Sequence, residues 1–274
     1  MEKYINCNLC GFNKTDIIQK AELPYNVVKC KRCGLVYVNP QPDREKLEFH
    51  YNQNYYKEWI EKQLPKRLRM WKKRIKELKN YRNKGKLLDI GCGLGTFLYL
   101  MKKEGFEVVG TEISKWASEF IKKKYNIEIF NGTLEEAKFP SESFDIITLW
   151  HSLEHIPNPK ETLNEINRIL KKDGLLLIAC PNFHNFIVRI LYLLVKRKKL
   201  KIFSCNAKEL HLFHFSIKTL TLMLISTGFK VLKVDLDIAQ IEFREKIVDF
   251  LTFIFYLITG KNFGEAFKIY AVKK

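Results

Sequence analysis

The run Leu87-Leu88-Asp89-Ile90-Gly91-Cys92-Gly93-Leu94-Gly95-Thr96-Phe97 constrains the fold of this chain more than any other segment. A short apolar stretch ends at an acid, three glycines alternate with other residues, and an apolar periodic segment follows. That pattern predicts a strand, a tight turn and a helix start. Glycine lets the backbone turn sharply and lets a ligand lie against bare main chain. The loop carries Asp89 within it, and Leu98 stands where the dinucleotide fingerprint has its later glycine. The segment Lys103-Glu104-Gly105-Phe106 then closes the helix, and Glu107–Ile113 reads as a second strand. Glu112 lies 17 residues beyond Gly95, a place where an acid can accept hydrogen bonds from ribose hydroxyls.

Further blocks follow in order. Asn131-Gly132-Thr133-Leu134 is the turn after a third strand, and Phe144–Leu149 is a fourth strand, opening onto Trp150-His151-Ser152-Leu153-Glu154-His155-Ile156. Lys160–Lys171 has helical spacing, with Leu163, Ile166, Ile169 and Leu170 on one face. Gly174–Ala179 is a fifth strand. A helix over Ile217–Ser226, capped by Ser216, stops at Gly228, and Phe229–Asp237 and Ala266–Lys273 close the sheet as a pair of strands.

With these motifs in place, residues 86–182 resemble a class I S-adenosylmethionine-dependent methyltransferase. The resemblance implies a Rossmann-like seven-stranded α/β sheet. It implies that Gly91, Gly93 and Gly95 face the methionine part of the cofactor, with Asp89 near its amino group and Glu112 on the ribose. Ile113, Leu134 and Trp150 complete the expected cofactor contacts. Relatives carry an acid near Thr133 for the adenine amino group; that acid is missing here, which leaves the Leu134 backbone to substitute. Ligands of open α/β sheets sit at the carboxyl ends of strands, so Trp150, His151, Glu154 and His155 should border the reacting atoms. His155 is the first expected general base, because imidazole titrates near neutrality; His151 is the second, and His211 and His214 are weaker candidates. The competing role for Glu154 and His155 is to order their loop.

The front of the chain has a different chemistry. Cys7-Asn8-Leu9-Cys10-Gly11 and Cys30-Lys31-Arg32-Cys33-Gly34 are two C-x2-C pairs separated by nineteen residues. Four thiolates on two tight turns suit one tetrahedral, structural zinc. Residues 1–40 have few apolar side chains for a core of their own, which favours a metal staple. Leu35–Pro40 reads as the last strand of a zinc ribbon. Similar ribbon heads occur on methyltransferase cores that modify sugars and other small molecules, including nucleotide-sugar C-methyltransferases. Cys92, Cys180 and Cys205 read as ordinary buried residues.

Residues 41–85 form an aromatic and basic connector. Phe49, Tyr51, Tyr55, Tyr56 and Trp59 cluster there, either as junction core or as a lid, and Tyr55 and Tyr56 are the lid candidates. A helix from about Pro65 buries Leu68, Trp71, Ile75 and Leu78. Between Lys57 and Lys86 stand thirteen Lys or Arg and three Asp or Glu. The methyltransferase domain over residues 86–274 carries two apolar insertions, near 184–214 and 238–262. Phe186–Val195 is followed by Lys196-Arg197-Lys198-Lys199-Leu200-Lys201, and Ile247–Ile258 is the second apolar run. They are expected to pack as an α-helical cap, or to give a basic amphipathic surface that meets a membrane.

The net charge of +18 favours anionic partners. Met1-Glu2-Lys3-Tyr4 has no apolar leader, no run reaches spanning length, and the cysteines fit a reducing compartment. A cytoplasmic enzyme, with membrane association as a variant, is therefore expected. The expected acceptor is a small molecule, a sugar or a lipid-linked compound, a quinone type among them. The rival enzyme reading is an RNA methyltransferase, for which no RNA-binding module is visible. The rival from another class is a non-catalytic zinc-ribbon binding protein with a degenerate core, which the intact loop and Glu112 oppose.

Overall fold

In the computed structural model the described residues are 2–62, 64–237, 243–259 and 262–274. Side chains at 58, 59, 61, 62, 64, 65, 243–249 and 251 also lie outside the description, and with them Trp59 and the start of the second apolar run. The chain opens with three strands, β1 (Thr15–Lys20), β2 (Asn26–Cys30) and β3 (Val36–Asn39), then helices α1 (Arg44–His50), α2 (Gln53–Lys62) and α3 (Leu64–Lys79). The alternating part follows as β4 (Lys86–Ile90), α4 (Thr96–Lys103), β5 (Glu107–Glu112), α5 (Lys115–Tyr125), β6 (Ile129–Asn131) and α6 (Leu134–Ala137). It continues as β7 (Phe144–Trp150), α7 (Pro159–Ile169), β8 (Leu170–Pro181), α8 (Phe186–Lys196) and β9 (Phe213–His214). The last elements are α9 (Ile217–Ser226), β10 (Phe229–Leu236), α10 (Phe243–Thr259) and β11 (Ala266–Lys273).

Seven strands form one sheet in the order β10-β11-β8-β7-β4-β5-β6. β4, β5, β6, β7 and β8 run parallel, and β11 is antiparallel to both β8 and β10. This is the expected seven-stranded α/β fold. The order reverses between β4 and β7, and ligands of such sheets bind at that crevice. The parallel strands read as apolar runs because both faces are covered: Leu87, Leu88, Ile146, Ile147, Leu176 and Ile178 are all buried.

Two boundaries differ from the sequence reading. The helix expected to reach Lys171 stops at Ile169, since Leu170 is already extended (φ −75°, ψ 133°) and pairs with Phe144. The fifth strand, read as Gly174–Ala179, therefore spans Leu170–Pro181.

The small sheet has the order β1-β2-β3-β9, so its fourth strand comes from the first insertion. After α8 the insertion becomes a strap over the head rather than more helix. The Gln19 side chain bonds the Ile202 amide (2.6 Å) and the Phe203 carbonyl (2.7 Å), and Tyr25 packs edge-on against Phe203. Val27, Leu35, Tyr37 and Val38 belong to the same buried cluster as Leu149, Ile178 and Phe213. The head thus shares the main core, which offsets its poverty in apolar residues. Helices α8 and α10 lie together, with Phe186 and Phe255 both meeting Phe263.

Candidate active site

The glycine loop takes the shape its sequence demands. Gly91, Gly93 and Gly95 have φ of 69°, 56° and 67°, a region that side chains disfavour. A Cβ at Gly91 would sit 2.8 Å from Ser152 Cβ, and one at Gly95 would sit 2.8 Å from Ile121. At Gly93 the nearest neighbour would be the Tyr56 ring at 3.8 Å, so this glycine leaves open space in front of bare backbone.

Glu112 ends β5 behind the loop and is 5% exposed. Its carboxylate accepts from the Gly93 amide (2.8 Å) and the Ser114 amide (2.9 Å). Burial raises its pKa to about 6, against the opposing pull of those two amides. Asp89 is also buried and accepts from the Thr148 hydroxyl at 2.7 Å. Burial pushes Asp89 up to about 8.

These residues border a cavity of about 970 Å³ that also reaches Ile113, Leu134, Trp150, His151, His155 and His214. The three histidines expected as acid–base groups therefore share one space with the glycine loop. His211, the weaker candidate, lines it too. Glu135, which the sequence reading passed over, stands in the same wall one residue beyond Leu134. It accepts from the Thr162 hydroxyl at 2.6 Å. Its neighbour Glu136 closes a capping box with Thr133, the signal that fixes this turn.

The two leading histidines have different surroundings. His155 ends a single helical turn, Leu153–His155. Its Nδ1 lies 2.9 Å from the Leu210 carbonyl and 2.9 Å from the Tyr51 hydroxyl. Burial, then the nearby His211, holds its pKa well below the ordinary value. His151 lies just beyond β7 with φ 54°, a strained backbone for a residue with a side chain. Its Nε2 is 2.9 Å from Asp237 Oδ2, and its Nδ1 is 3.8 Å from Glu154 Oε1.

Asp237 and Arg74 were not foreseen. The Arg74 guanidinium forms an ion pair with the Asp237 carboxylate, and their side chains are 5% and 1% exposed. Burial alone would raise Asp237, but Arg74 and then His151 hold its carboxyl well below the usual range. The guanidinium also lies 4.9 Å from the Trp71 ring and 4.7 Å from the Trp150 ring. A signal was available for Arg74. It sits three residues after Trp71 and four before Leu78, on the apolar stripe of α3, where a charge needs a partner.

The aromatic connector covers the cavity. Tyr51, Tyr55 and Tyr56 line it, Tyr56 stacks on Trp116 at 5.8 Å, and Tyr55 donates to Glu209 at 2.8 Å. The Tyr56 hydroxyl bonds the Glu112 carboxylate.

In the head, one donor sulfur from each of Cys7, Cys10, Cys30 and Cys33 lies within 4.8 Å of the others. The Gly11 amide bonds the Cys7 carbonyl (2.8 Å) and the Gly34 amide bonds the Cys30 carbonyl (3.0 Å), so both turns share one geometry. Gly11 and Gly34 have φ of 72° and 78°, as such turns need. The donor set and its closure fit a zinc-ribbon-like element.

The cavity at the switch point, the glycine loop and the acid ending β5 are arranged as in a methyltransferase domain. A family model described as a methyltransferase domain matches residues 50–234, and the chain belongs to that family. The demethylmenaquinone methyltransferase of Staphylococcus saprophyticus is 32% identical over 114 residues, covering 39% of this chain and 49% of the relative. That of Staphylococcus aureus is 30% identical over 116 residues, covering 40% and 48%. The chain thus spans about half the length of these curated relatives. A solved structure from Thermotoga maritima, described as an S-adenosylmethionine-dependent methyltransferase and possible histamine N-methyltransferase, superposes with a TM-score of 0.57 at 22% identity. It covers 83% of this chain and 100% of its own. An S-adenosylmethionine-dependent methyltransferase from Archaeoglobus fulgidus gives 0.53 at 21% identity, covering 75% and 94%. At these identities the likeness concerns the fold.

Proposed function

We propose that the protein transfers a methyl group from S-adenosylmethionine to a small-molecule acceptor, and that His151 takes the acceptor's proton. The observation that carries this reading is one cavity that joins the Gly91–Gly95 loop and Glu112 to the His151–Asp237 pair. When bound, the cofactor supplies an electrophilic methyl group on sulfur. Glu112, already tied to the Gly93 amide, would accept from the ribose hydroxyls. Asp89, protonated up to about pH 8 in its buried place, would ionise against the ligand's ammonium group. Ile113, Leu134 and Glu135 would border the adenine, and Trp150 would wall the methionine end.

For the base we favour His151 over His155. Asp237 accepts the Nε2 proton of His151, which leaves the Nδ1 lone pair free to take a proton. The Asp237 carboxylate then stabilises the imidazolium that forms. Arg74 fixes Asp237 in turn, so the base has a rigid support. His155 has its Nδ1 engaged by Leu210 and Tyr51, and burial weakens it as a base. His214 lies deeper, on β9, where burial pushes its pKa down to about 3. If His151 removes the acceptor proton, His151→Ala should lower turnover by about 10²–10⁴-fold while leaving S-adenosylhomocysteine affinity unchanged. A loss of affinity with little change in rate would refute this assignment.

The acceptor is read as a quinone-type or otherwise aromatic molecule. The aromatic lining by Tyr51, Tyr55, Trp71 and Trp150 supports it, as do relatives named for demethylmenaquinone. A lipid-linked form gains support from α8 and α10. There Leu194, Val195, Leu257 and Ile258 are each 66–77% exposed, beside the basic run Lys196–Lys201. Leu200 and Lys201 of that run also line the cavity. A face of this kind suits an anionic membrane surface. No helix among the described residues is long and apolar enough to cross a membrane. We further propose one structural zinc at Cys7, Cys10, Cys30 and Cys33.

A further inference from the structure

We propose a second metal site, at the acceptor end of the cavity, in which Glu154, His155 and His211 bind a divalent transition-metal cation with Glu209 as a fourth donor. One ligand atom from each of the first three residues lies within 4.8 Å of the others, a spacing that a cation can draw together. His155 Nε2 is 3.8 Å from Glu209 Oε2.

Three observations point to a ligand here. The first is an orphaned acceptor: Glu154 is 1% exposed, its Oε2 meets the Cys180 thiol, and its Oε1 has no hydrogen-bond partner. A carboxylate oxygen left so is costly unless a proton or a cation meets it. The second is the tautomer of His155. The Leu210 carbonyl can only accept, so its 2.9 Å contact assigns the proton to Nδ1 and leaves Nε2 with its lone pair. A backbone carbonyl behind the ring is the usual support of a metal-binding imidazole. The third is the donor set. Two carboxylates and two neutral imidazoles then balance a divalent ion, and this mixed nitrogen and oxygen set suits Zn2+, Mn2+ or Fe2+ better than Mg2+.

The site faces the cavity that holds His151, whose Nδ1 lies 3.8 Å from Glu154 Oε1. A cation here would bind an acceptor oxygen and lower the pKa of its hydroxyl, bringing it within reach of an imidazole base. This consequence rests on the proposed methyl transfer; the metal site itself does not. It makes the acceptor a hydroxylated molecule methylated on oxygen, or at a carbon made nucleophilic by the neighbouring oxyanion.

The test is a Mn2+ titration of protein brought to one zinc per chain, so that only the four-cysteine site is filled, following the loss of the free-ion electron paramagnetic resonance signal. We expect one Mn2+ bound per chain. Glu154→Gln and His211→Asn should each weaken it at least about tenfold, the scale for losing a metal's supporting group. Glu119→Gln, on the exposed side of α5, should leave Mn2+ uptake unchanged. No Mn2+ binding by the wild-type protein, or equal binding by both variants, overturns the site. Should Glu154→Gln fail to fold, His211→Asn and the wild-type titration decide. S-adenosylhomocysteine binding, measured on the same samples, separates the two readings. Loss of metal binding with cofactor binding intact removes only the metal site.

Discussion

Replacing Glu112 by Gln tests the cofactor end most sharply, because the structure sets both its magnitude and its pH dependence. The two carboxylate oxygens face the amides of Gly93 and Ser114 at 2.8 and 2.9 Å. A Gln amide can offer its oxygen to one of them and must turn an N–H toward the other. One hydrogen bond to a charged acceptor is lost, which costs about 1.5–3 kcal/mol. The ribose hydroxyls lose the same acceptor, so S-adenosylhomocysteine should bind about 10–100-fold more weakly, at about 1.4 kcal/mol per factor of ten. The wild-type protein should lose affinity below about pH 6, since Glu112 is then protonated. At one pH unit below that point the wild-type protein should have lost about tenfold more affinity than the Gln variant, which keeps only the slope set by Asp89 ionising on binding. Folding stability should move the other way. An acid raised from 4.5 to about 6 on folding takes up its proton first in the folded state. Stability therefore falls as pH rises between these values, by about 2 kcal/mol in total. The window lies well below the range in which the ligand's α-ammonium group titrates, so the ligand's own charge stays fixed. Isothermal titration from pH 5 to 7, with urea unfolding on both proteins, supplies all the quantities. Equal affinity for the two proteins, or a flat wild-type profile, would refute the role given to Glu112.

Three further outcomes are expected. Gly91→Ala, at φ 69° and 2.8 Å from Ser152 Cβ, should lower both stability and cofactor affinity. Gly105→Ala, at φ 88° with nothing within 4 Å, should cost only its backbone strain of about 1–3 kcal/mol, and equal losses in the two variants would remove the steric argument. Metal analysis of protein purified without chelator should give at least one zinc per chain in place of none, and Cys10→Ser should lower the content by about one while S-adenosylhomocysteine still binds. The protein should float with vesicles containing anionic lipid and lose that binding on Leu194→Ser with Leu257→Ser; recovery in the soluble fraction for both proteins would exclude the membrane reading.

Much of the fold was legible because its signals are local. Apolar runs of β4, β7 and β8 are bounded by glycine or turn residues, and α7 and α9 keep helical spacing. The glycine loop and Glu112 were legible for the same reason: each needs a particular residue where backbone or carboxylate does the work. Arg74, Asp237 and Glu209 were harder to find. They come from α3, the end of β10 and the strap, and acquire meaning only when the antiparallel β10 and β11 bring Asp237 to the carboxyl edge of the parallel strands. The strap itself carries no periodic pattern, because its residues 197–212 are held by the head rather than by regular structure. Its pairing with β3 through Phe213 and His214 is a long-range register that no local window encodes.

That pairing gives the head a place in the site. The Val38 amide bonds the Leu212 carbonyl, and the Leu212 amide bonds the Glu154 carbonyl, both at 2.8 Å. The last strand of the ribbon, the strap and the turn bearing Glu154 and His155 are therefore stitched in series. His211 and His214 flank Leu212 along the same line. At the other end Asp89, Gly91, Gly93 and Glu112 are held by β4, β5 and their turns, with the Thr148 hydroxyl of β7 on Asp89 and the Tyr56 hydroxyl of α2 on Glu112. The ribbon thus shapes the side of the cavity that bears Glu154 and His155, while the parallel sheet shapes the side that bears the glycine loop. Under the proposed function, this division would let a generic sheet keep its cofactor geometry while a small head and two insertions set what the cavity accepts.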